Sequence, residues 1–472
     1  MDVNELQEQI RKMRKAHKPL SLRYCKGHSN TTRSKSYKEG CNTLDCGPLN
    51  QILLLDTKRK RISVQPRITI EELVRATLPY GLMPSITPEF KGITVGGAIM
   101  GGAAESTSHQ LGIFHDSCTA IELLDGEGNL VSASPSKNAD LFYGISGSYG
   151  SLGMLVSAEI ELIPAQPTVQ LCYHFFTNPQ KALEALAELA GTCDFLDGII
   201  YHKNHAVIIE GHLKNPQEII FDALPKYREI QGIPSSKWYA QHVKELTQNQ
   251  EEMHLFDYLF RYDQGAFWMG SYLFSSSFLS RYIGQGLLKI WPSQEWFSAK
   301  EIELFRNPSF PRTFLRKLVS PFMQSQRLWG LLHKAEKWVQ NRLVIQDFCI
   351  PQPKASDFLS TILEDPGLFP IWLCPLKGTQ TPQLFAPHYG HPCFINFGLY
   401  GIPSYAAPMG HIIQRLESKT QEYGGRKVLY SRSYYSEEDF WKIYSREGYE
   451  ALRKKTHAKG VWRELTEKVL SE

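Results

Sequence analysis

Glycine governs what the first third of this chain can become. Residues 94 to 112 read TVGGAIMGGAAESTSHQLG, with Gly96, Gly97, Gly101 and Gly102 interrupting any ordinary core packing. A second run, SGSYGSLG, carries Gly147, Gly150 and Gly153. Without Cβ atoms, main-chain N–H groups can turn toward an anion and approach it closely. Thr94, Ser106, Thr107 and Ser108 add hydroxyls around the first run. Two such segments predict a large anionic cofactor gripped from two sides, and a dinucleotide diphosphate suits that best. Neither follows a strand–GxGxxG–helix order, so the Rossmann pattern is a poor match.

The remaining bulk properties narrow the class. A chain of 472 residues predicts two or more domains. With 42% hydrophobic and 21% charged residues it reads as a globular enzyme, and a net charge of +4 gives no field for nucleic acid. The densest basic cluster, Arg11, Lys12, Arg14, Lys15 and Lys18, reads as the solvated face of an N-terminal helix. Peripheral contact with an anionic membrane is the alternative. No window reaches the about 18 apolar residues of a membrane span. Nine cysteines without a CxxC pair, and no signal peptide, predict a reducing, cytoplasmic compartment and no metal site.

Periodicity places the elements. Residues 3 to 16 form an amphipathic helix with Leu6, Ile10 and Met13 on one face. QILLLDT (51–57) is expected as a buried strand, because it is a continuous apolar run. RISVQPRIT alternates like a half-exposed strand. TIEELVRATLPYGL has helical spacing, with Thr69 as N-cap and Glu72 at the capping-box position. CTAIELLDGEGNLV reads as a hairpin. Near Pro164 the glycine segments stop. Beyond lie an amphipathic helix at 180–191, strands GIIYH and HAVIIEGHL, and an aromatic-rich, mostly helical stretch from about 236 to 345 with Trp238, Trp268, Trp291, Trp296, Trp329 and Trp338. VIQDFCIP, FPIWLCP and HPCFINFGLYG follow as strands, and a helix at 412–425 precedes RKVLYSRSYYSEEDFW. The aromatics read first as core, with a long apolar slot as the alternative.

The order KGHSNTT, PSITPEFKGITVGG, the serine/histidine segment and LFYGISGSYGSLG resembles the FAD-binding domain of the vanillyl-alcohol oxidase/para-cresol methylhydroxylase superfamily. TVGGAIMGGAAESTSH, GIFHDSCTAIELL, VIQDFCIP, FPIWLCP and LYSRSYYSEEDFW resemble the delta(24)-sterol reductases within it, from about residue 5 to 460. That resemblance implies an α+β fold of two domains. The PCMH-type FAD-binding domain would span 1–165, an antiparallel-sheet cap for substrate 166–424, and a return to the FAD domain 425–472. It implies FAD held by Gly27, His28, Ser29, Asn30 and Thr31 of the GHS turn, then by Thr94, Val95, Gly96, Gly97, Gly101, Gly102, Ser106, Ser108 and His109. Gly147, Gly150, Gly153 and Val156 complete the set. Covalent attachment through His28 is an alternative that is not favoured. Ala103 would sit beside the reactive flavin carbon. The C-terminal segment would bring Lys427, Tyr430, Arg432 and Tyr434 toward the flavin.

The implied reaction is reduction of a carbon–carbon double bond in a sterol-like or other apolar substrate, with NADPH as donor. His109, Tyr430 and Arg432 are the candidate catalytic groups, and His109 or Tyr430 the proton donor. Eukaryotic members carry an N-terminal membrane segment without a counterpart here, which predicts a soluble relative. The alternatives are an FAD-dependent dehydrogenase or oxidase of a sugar, polyol or lipid-linked sugar, and a flavin- or lipid-binding protein without turnover. Oligomeric state is not legible.

Overall fold

The computed structural model describes residues 3–16, 18–23, 30–215, 238–274, 323–334 and 339–471. Gly27, His28 and Ser29 of the GHS turn lie outside the described residues, as do Trp291, Trp296 and Trp338.

Local chemistry sets the first elements. Helix α1 (Val3–Arg14) buries Leu6 and Ile10. Strands β1 (Leu20–Arg23) and β2 (Asn42–Asp45) pair in parallel. Strands β3 (Ile52–Asp56) and β4 (Arg61–Val64) form a hairpin. Helix α2 (Ile70–Thr77) starts where expected. The Thr69 side chain accepts from the Glu72 N–H, and Glu72 accepts from the Thr69 N–H. Such a cap stabilises a helix by about 1 kcal/mol. Strands β5 (Leu82–Pro84), β6 (Cys118–Leu124), β7 (Leu130–Ala133) and β8 (Met154–Pro164) complete an antiparallel sheet in the order β3-β4-β8-β6-β7, with β5 beside β8.

Two expectations change here. The glycine run expected to offer free main-chain N–H groups is helical: Val95–Gly101 is a helix, α3, capped by the Thr94 side chain accepting from the Gly97 N–H. Val95, Ala98 and Ile99 bury one side of it, so packing overrides the poor helix propensity of its glycines. The β3 run is a strand, but an edge one, with Ile52, Leu53 and Leu54 exposed.

The chain leaves the first sheet at Pro164 and enters the second at Thr168. Strands β9 (Thr168–Phe176), β10 (Phe195–His202), β11 (His205–Lys214), β12 (Gln250–His254), β13 (Val344–Pro351), β14 (Ile371–Lys377), β15 (Cys393–Gly401) and β16 (Arg426–Lys427) form an antiparallel sheet, ordered β12-β9-β11-β10-β14-β15-β13-β16. Helices Pro179–Leu189, Gln352–Glu364 and Met409–Glu422 cover one face through Leu186, Phe358 and Ile412. The opposite face joins the core of the first sheet, where Ile160 and Val95 share a cluster with Val169 and Ile199.

The C-terminus then folds back on the N-terminal third. The Leu20 N–H donates to Val461 O at 2.7 Å, and that of Gly126 to Thr456 O at 2.8 Å. Arg453, 2% exposed, donates to Ser151 O at 2.8 Å and Trp462 O at 3.0 Å.

Candidate FAD and substrate site

Between the two sheets lies a cavity of about 740 Å³, within the range of cofactor and ligand sites. Asn30, Thr31, Thr94, Gly96, Gly97, Gly101, Gly102, Gly150 and Gly153 all line it, as do Ala103 and Tyr430. The glycines differ in what fixes them. A Cβ on Gly96 would meet the Pro66 ring at 2.8 Å, and one on Gly153 would meet Leu124 O at 2.7 Å, so these two serve the fold. A Cβ on Gly101 would meet no protein atom within 4 Å, so that surface is free for a ligand.

One end of the cavity is cationic. Arg33, Lys38 and Lys468 line it, and among the described residues none forms an ion pair with a carboxylate. Arg33 lies over the Tyr149 ring at 3.9 Å. Lys38 and Lys468 donate to the carbonyls of Leu22 and Tyr149 at 3.0 and 3.1 Å. Burial, then Arg33, Arg453 and Lys38, push the Lys468 ammonium down to about 7. The Tyr149 hydroxyl, Asn30 Nδ2 and Trp462 Nε1 are buried there without a hydrogen-bond partner among the described residues. Buried cations and unmet donors at one place are what an anion such as a diphosphate satisfies.

The other end is apolar and acidic. Phe267 packs on Phe90 at 5.7 Å, Trp372 at 5.3 Å and Tyr400 at 5.4 Å between ring centroids. Its backbone sits at φ 60°, and that of Ala266 at 46°, a left-handed conformation costing about 1 kcal/mol or more per residue. The fold keeps that strain where the ring enters the cavity. Beside it, Asp347 accepts from Tyr430 Oη at 2.6 Å, Asn396 Nδ2 at 2.7 Å and Tyr400 Oη at 2.8 Å. Burial raises its carboxyl above the usual range while these three bonds oppose it. Glu89, also lining the cavity, is pushed up to about 8, first by burial and then by Glu105. Glu89 is half-buried in the cavity wall, and its raised pKa favours the protonated form at neutral pH. Sequence reasoning missed it, as well as Arg33, Lys38 and Lys468. The only trace of Glu89 was its place in PSITPEFKGITVGG.

The structure does not bring every expected residue to the cavity. Val95 and Val156 are core side chains, 0 and 2% exposed. Gly147 packs against Phe385, where its Cβ would lie 2.5 Å away. Ser106, Ser108 and His109 turn away from the cavity and build the wall behind it. Ser106 Oγ bonds to Glu105 and accepts from Tyr258 Oη at 3.2 Å. Ser108 Oγ accepts from the Glu105 N–H at 2.9 Å. The His109 ring nitrogens face the carbonyls of Ser106 and Cys193 at 2.8 and 3.0 Å, and burial lowers its pKa. Its ring therefore ties the segment to the cap. Arg432 also lies off the cavity, its Nη1 reaching Tyr434 Oη at 3.4 Å and its carbonyl held by Lys427 and Gln346. Lys427 is itself fully buried against Glu417 at 2.7 Å.

Comparison with known proteins agrees with this arrangement. Residues 1–134 match the model of an FAD binding domain. The chain is 27% identical to the delta(24)-sterol reductase of Rattus norvegicus over 99% of its own length and 85% of that protein's. The Homo sapiens delta(24)-sterol reductase is 28% identical over the same shares. A shorter match, 30% over 124 residues and 26% of this chain, is to the decaprenylphosphoryl-beta-D-ribose oxidase of Mycolicibacterium smegmatis. Among the described residues no helix is long and apolar enough to cross a membrane. The chain is an FAD-dependent oxidoreductase of α+β fold, similar along nearly its whole length to the delta(24)-sterol reductases.

Proposed function

We propose that the chain reduces a carbon–carbon double bond in a sterol-like apolar substrate, with FAD as cofactor and NADPH as electron donor. One observation carries this reading. A single cavity is lined both by the glycine and cation surfaces that suit a diphosphate and by aromatic rings next to a neutral acid. Bound FAD supplies hydride transfer to carbon.

The chain's own residues supply the rest. Gly101 leaves room for the cofactor, and Arg33, Lys38 and Lys468 hold its diphosphate. Phe90, Phe267 and Trp372 exclude water and hold the apolar chain against it. Glu89 holds the proton that passes to one alkene carbon as the other receives hydride, and water reprotonates Glu89. A donor whose pKa lies near the working pH is the most effective, and about 8 suits this better than a phenol. Tyr430 stays protonated beside Asp347, because burial and that carboxylate both raise its pKa. With Tyr400 and Asn396 it forms a fixed polar wall that orients the substrate. His109 and Arg432 take no part in this scheme.

Anaerobic mixing tests the direction. NADPH is expected to bleach the yellow holoprotein, and a Δ24-unsaturated sterol to restore the colour while gaining two hydrogens. Bleaching by alcohols and not by NADPH would replace this reading with alcohol oxidation, which the similarity to a lipid-linked sugar oxidase favours. Flavin released on acid precipitation would exclude a covalent bond through His28.

A further inference from the structure

Strand β3 places aliphatic side chains in water. Ile52, Leu53 and Leu54 are 40, 52 and 60% exposed. Among the described residues the strand pairs only with β4 and ends the sheet. A shift of register between Ile52 and Leu54 leaves Leu53 without a partner across the ladder, so three successive side chains meet solvent where alternation would expose every second one. The turn that follows carries Lys58, Arg59 and Lys60, all exposed. Asp56 is committed to that turn, since its Oδ1 accepts from the N–H groups of Lys58 at 3.1 Å and Arg59 at 2.9 Å. The Arg59 guanidinium, 80% exposed, stays 3.8 Å from the Asp56 carboxylate.

The hairpin is rooted at the cavity. Asn50 before β3 is exposed and lines the cavity, and so do Pro66 and Arg67 after β4. At about 3.3 Å per residue, the aliphatic run lies roughly 7–13 Å from that rim. The other basic surface, on α1, is used differently. Arg14 pairs with Glu127 at 3.0 Å, and Arg11 reaches the carbonyls of Glu127 and Gly128, both at 3.4 Å. Those contacts hold α1 to the turn between β6 and β7, at the opposite edge of the sheet.

We infer that the β3–β4 hairpin docks on an anionic lipid bilayer, with Ile52, Leu53 and Leu54 entering the headgroup–acyl boundary and Lys58, Arg59 and Lys60 resting on lipid phosphates. An apolar substrate then reaches the cavity from the bilayer without crossing water. An exposed aliphatic edge is a liability in solution, and three side chains fall well short of the roughly 800 Å² per partner of a stable dimer. A bilayer asks less, because each cation near an anionic surface adds about a fivefold gain in partition. This inference goes beyond the reductase reading, and its test needs no turnover.

The test is flotation of the full-length, FAD-loaded protein with vesicles. Binding is expected to vesicles of phosphatidylcholine and phosphatidylserine in equal parts, and to weaken in phosphatidylcholine alone or in high salt. Leu53→Glu/Leu54→Glu should bind at least about tenfold more weakly and Lys58→Gln/Arg59→Gln about twenty-fivefold, with flavin absorbance and the unfolding midpoint unchanged. A Leu54→Trp protein, whose fold is little perturbed, should show blue-shifted emission on anionic vesicles. The inference is overturned if the wild-type protein binds neither vesicle, if the hairpin variants bind like wild type, or if the emission of the Leu54→Trp protein does not move. Loss of binding only in Arg11→Gln/Lys15→Gln would move the surface to α1. A wild-type dimer split by Leu54→Glu would assign the edge to a second copy.

Discussion

Replacing Glu89 by Gln separates the acid from the cavity that surrounds it. The Glu89 carboxyl moves from 4.5 to about 8 on folding, a shift of about 3.5 units, and each unit is worth about 1.36 kcal/mol. A raised acid stabilises the folded state fully below its unfolded pKa and loses that contribution as pH rises through its folded pKa. Wild type should therefore lose stability relative to Glu89→Gln between about pH 4.5 and pH 8. The ceiling is about 5 kcal/mol, and water inside the cavity screens part of it, leaving about 2–3 kcal/mol. Denaturant unfolding of both proteins across this range measures the difference. Kinetics give the second readout. Wild-type kcat/KM for the alkene should be flat below about pH 8 and fall about tenfold per unit above it. Glu89→Gln should be about 10²–10⁴-fold slower, without that fall. A variant as active as wild type with the same profile, or a stability gap that does not widen with pH, would refute the assignment.

Other residues give sharper local tests. Gly101→Val should leave the unfolding midpoint near wild type and weaken FAD binding at least tenfold, because its Cβ meets only open cavity; equal FAD affinity in titrations would count against the cradle. FAD binding near pH 8 should take up protons, since a diphosphate beside Lys468 raises an ammonium that burial and its cationic neighbours hold down to about 7. Calorimetry in buffers of different ionisation enthalpy would show it, and Lys468→Met should abolish most of the uptake. Tyr430→Phe should lower kcat/KM by about tenfold, one hydrogen bond to a buried carboxylate being worth about 1.5 kcal/mol, and keep the fall above pH 8. Losing that fall would make Tyr430 the acid.

Sequence reading succeeded where the determining contacts are local. The capping box of Thr69 and Glu72 lies within one turn, and VIQDFCIP and HPCFINFGLYG are rich enough in β-branched and aromatic residues to read as strands whatever their partner. It failed where a distant element decides. An aliphatic run such as ILLLD reads alike as a central or an edge strand, and only the sheet order makes it an edge. His109 looked like a ligand to FAD because it follows the glycines, yet its ring is claimed by Cys193 in the cap. Glu89 has no signature of its own, since its raised pKa depends on enclosure by segments far away in sequence. The glycine run announced a cofactor, but its helical form depends on the Thr94 cap and on Val95, Ala98 and Ile99 finding a core.

The wall behind the cavity explains why those misplaced residues still matter. Glu105 follows the glycine segment, and Arg261 and Asp197 belong to the cap. Arg261 Nη2 lies 3.0 Å from Glu105 and 3.1 Å from Asp197, with the Arg261, Glu105 and Asp197 side chains 0, 3 and 0% exposed. Asp197 in turn accepts from Tyr262 Oη at 2.6 Å and Trp372 Nε1 at 3.0 Å, and the Trp372 ring lines the cavity. One buried cation thus fixes the flavin-side segment and the aromatic wall to each other. Removing it leaves two buried carboxylates uncompensated, which costs about 3–5 kcal/mol. Arg261→Met should accordingly lower the unfolding free energy by about that amount near neutral pH, and less as pH falls and Glu105, whose pKa burial raises, protonates. A loss independent of pH would show that Arg261 contributes packing alone, and the electrostatic tie between the two halves of the site would have to be abandoned.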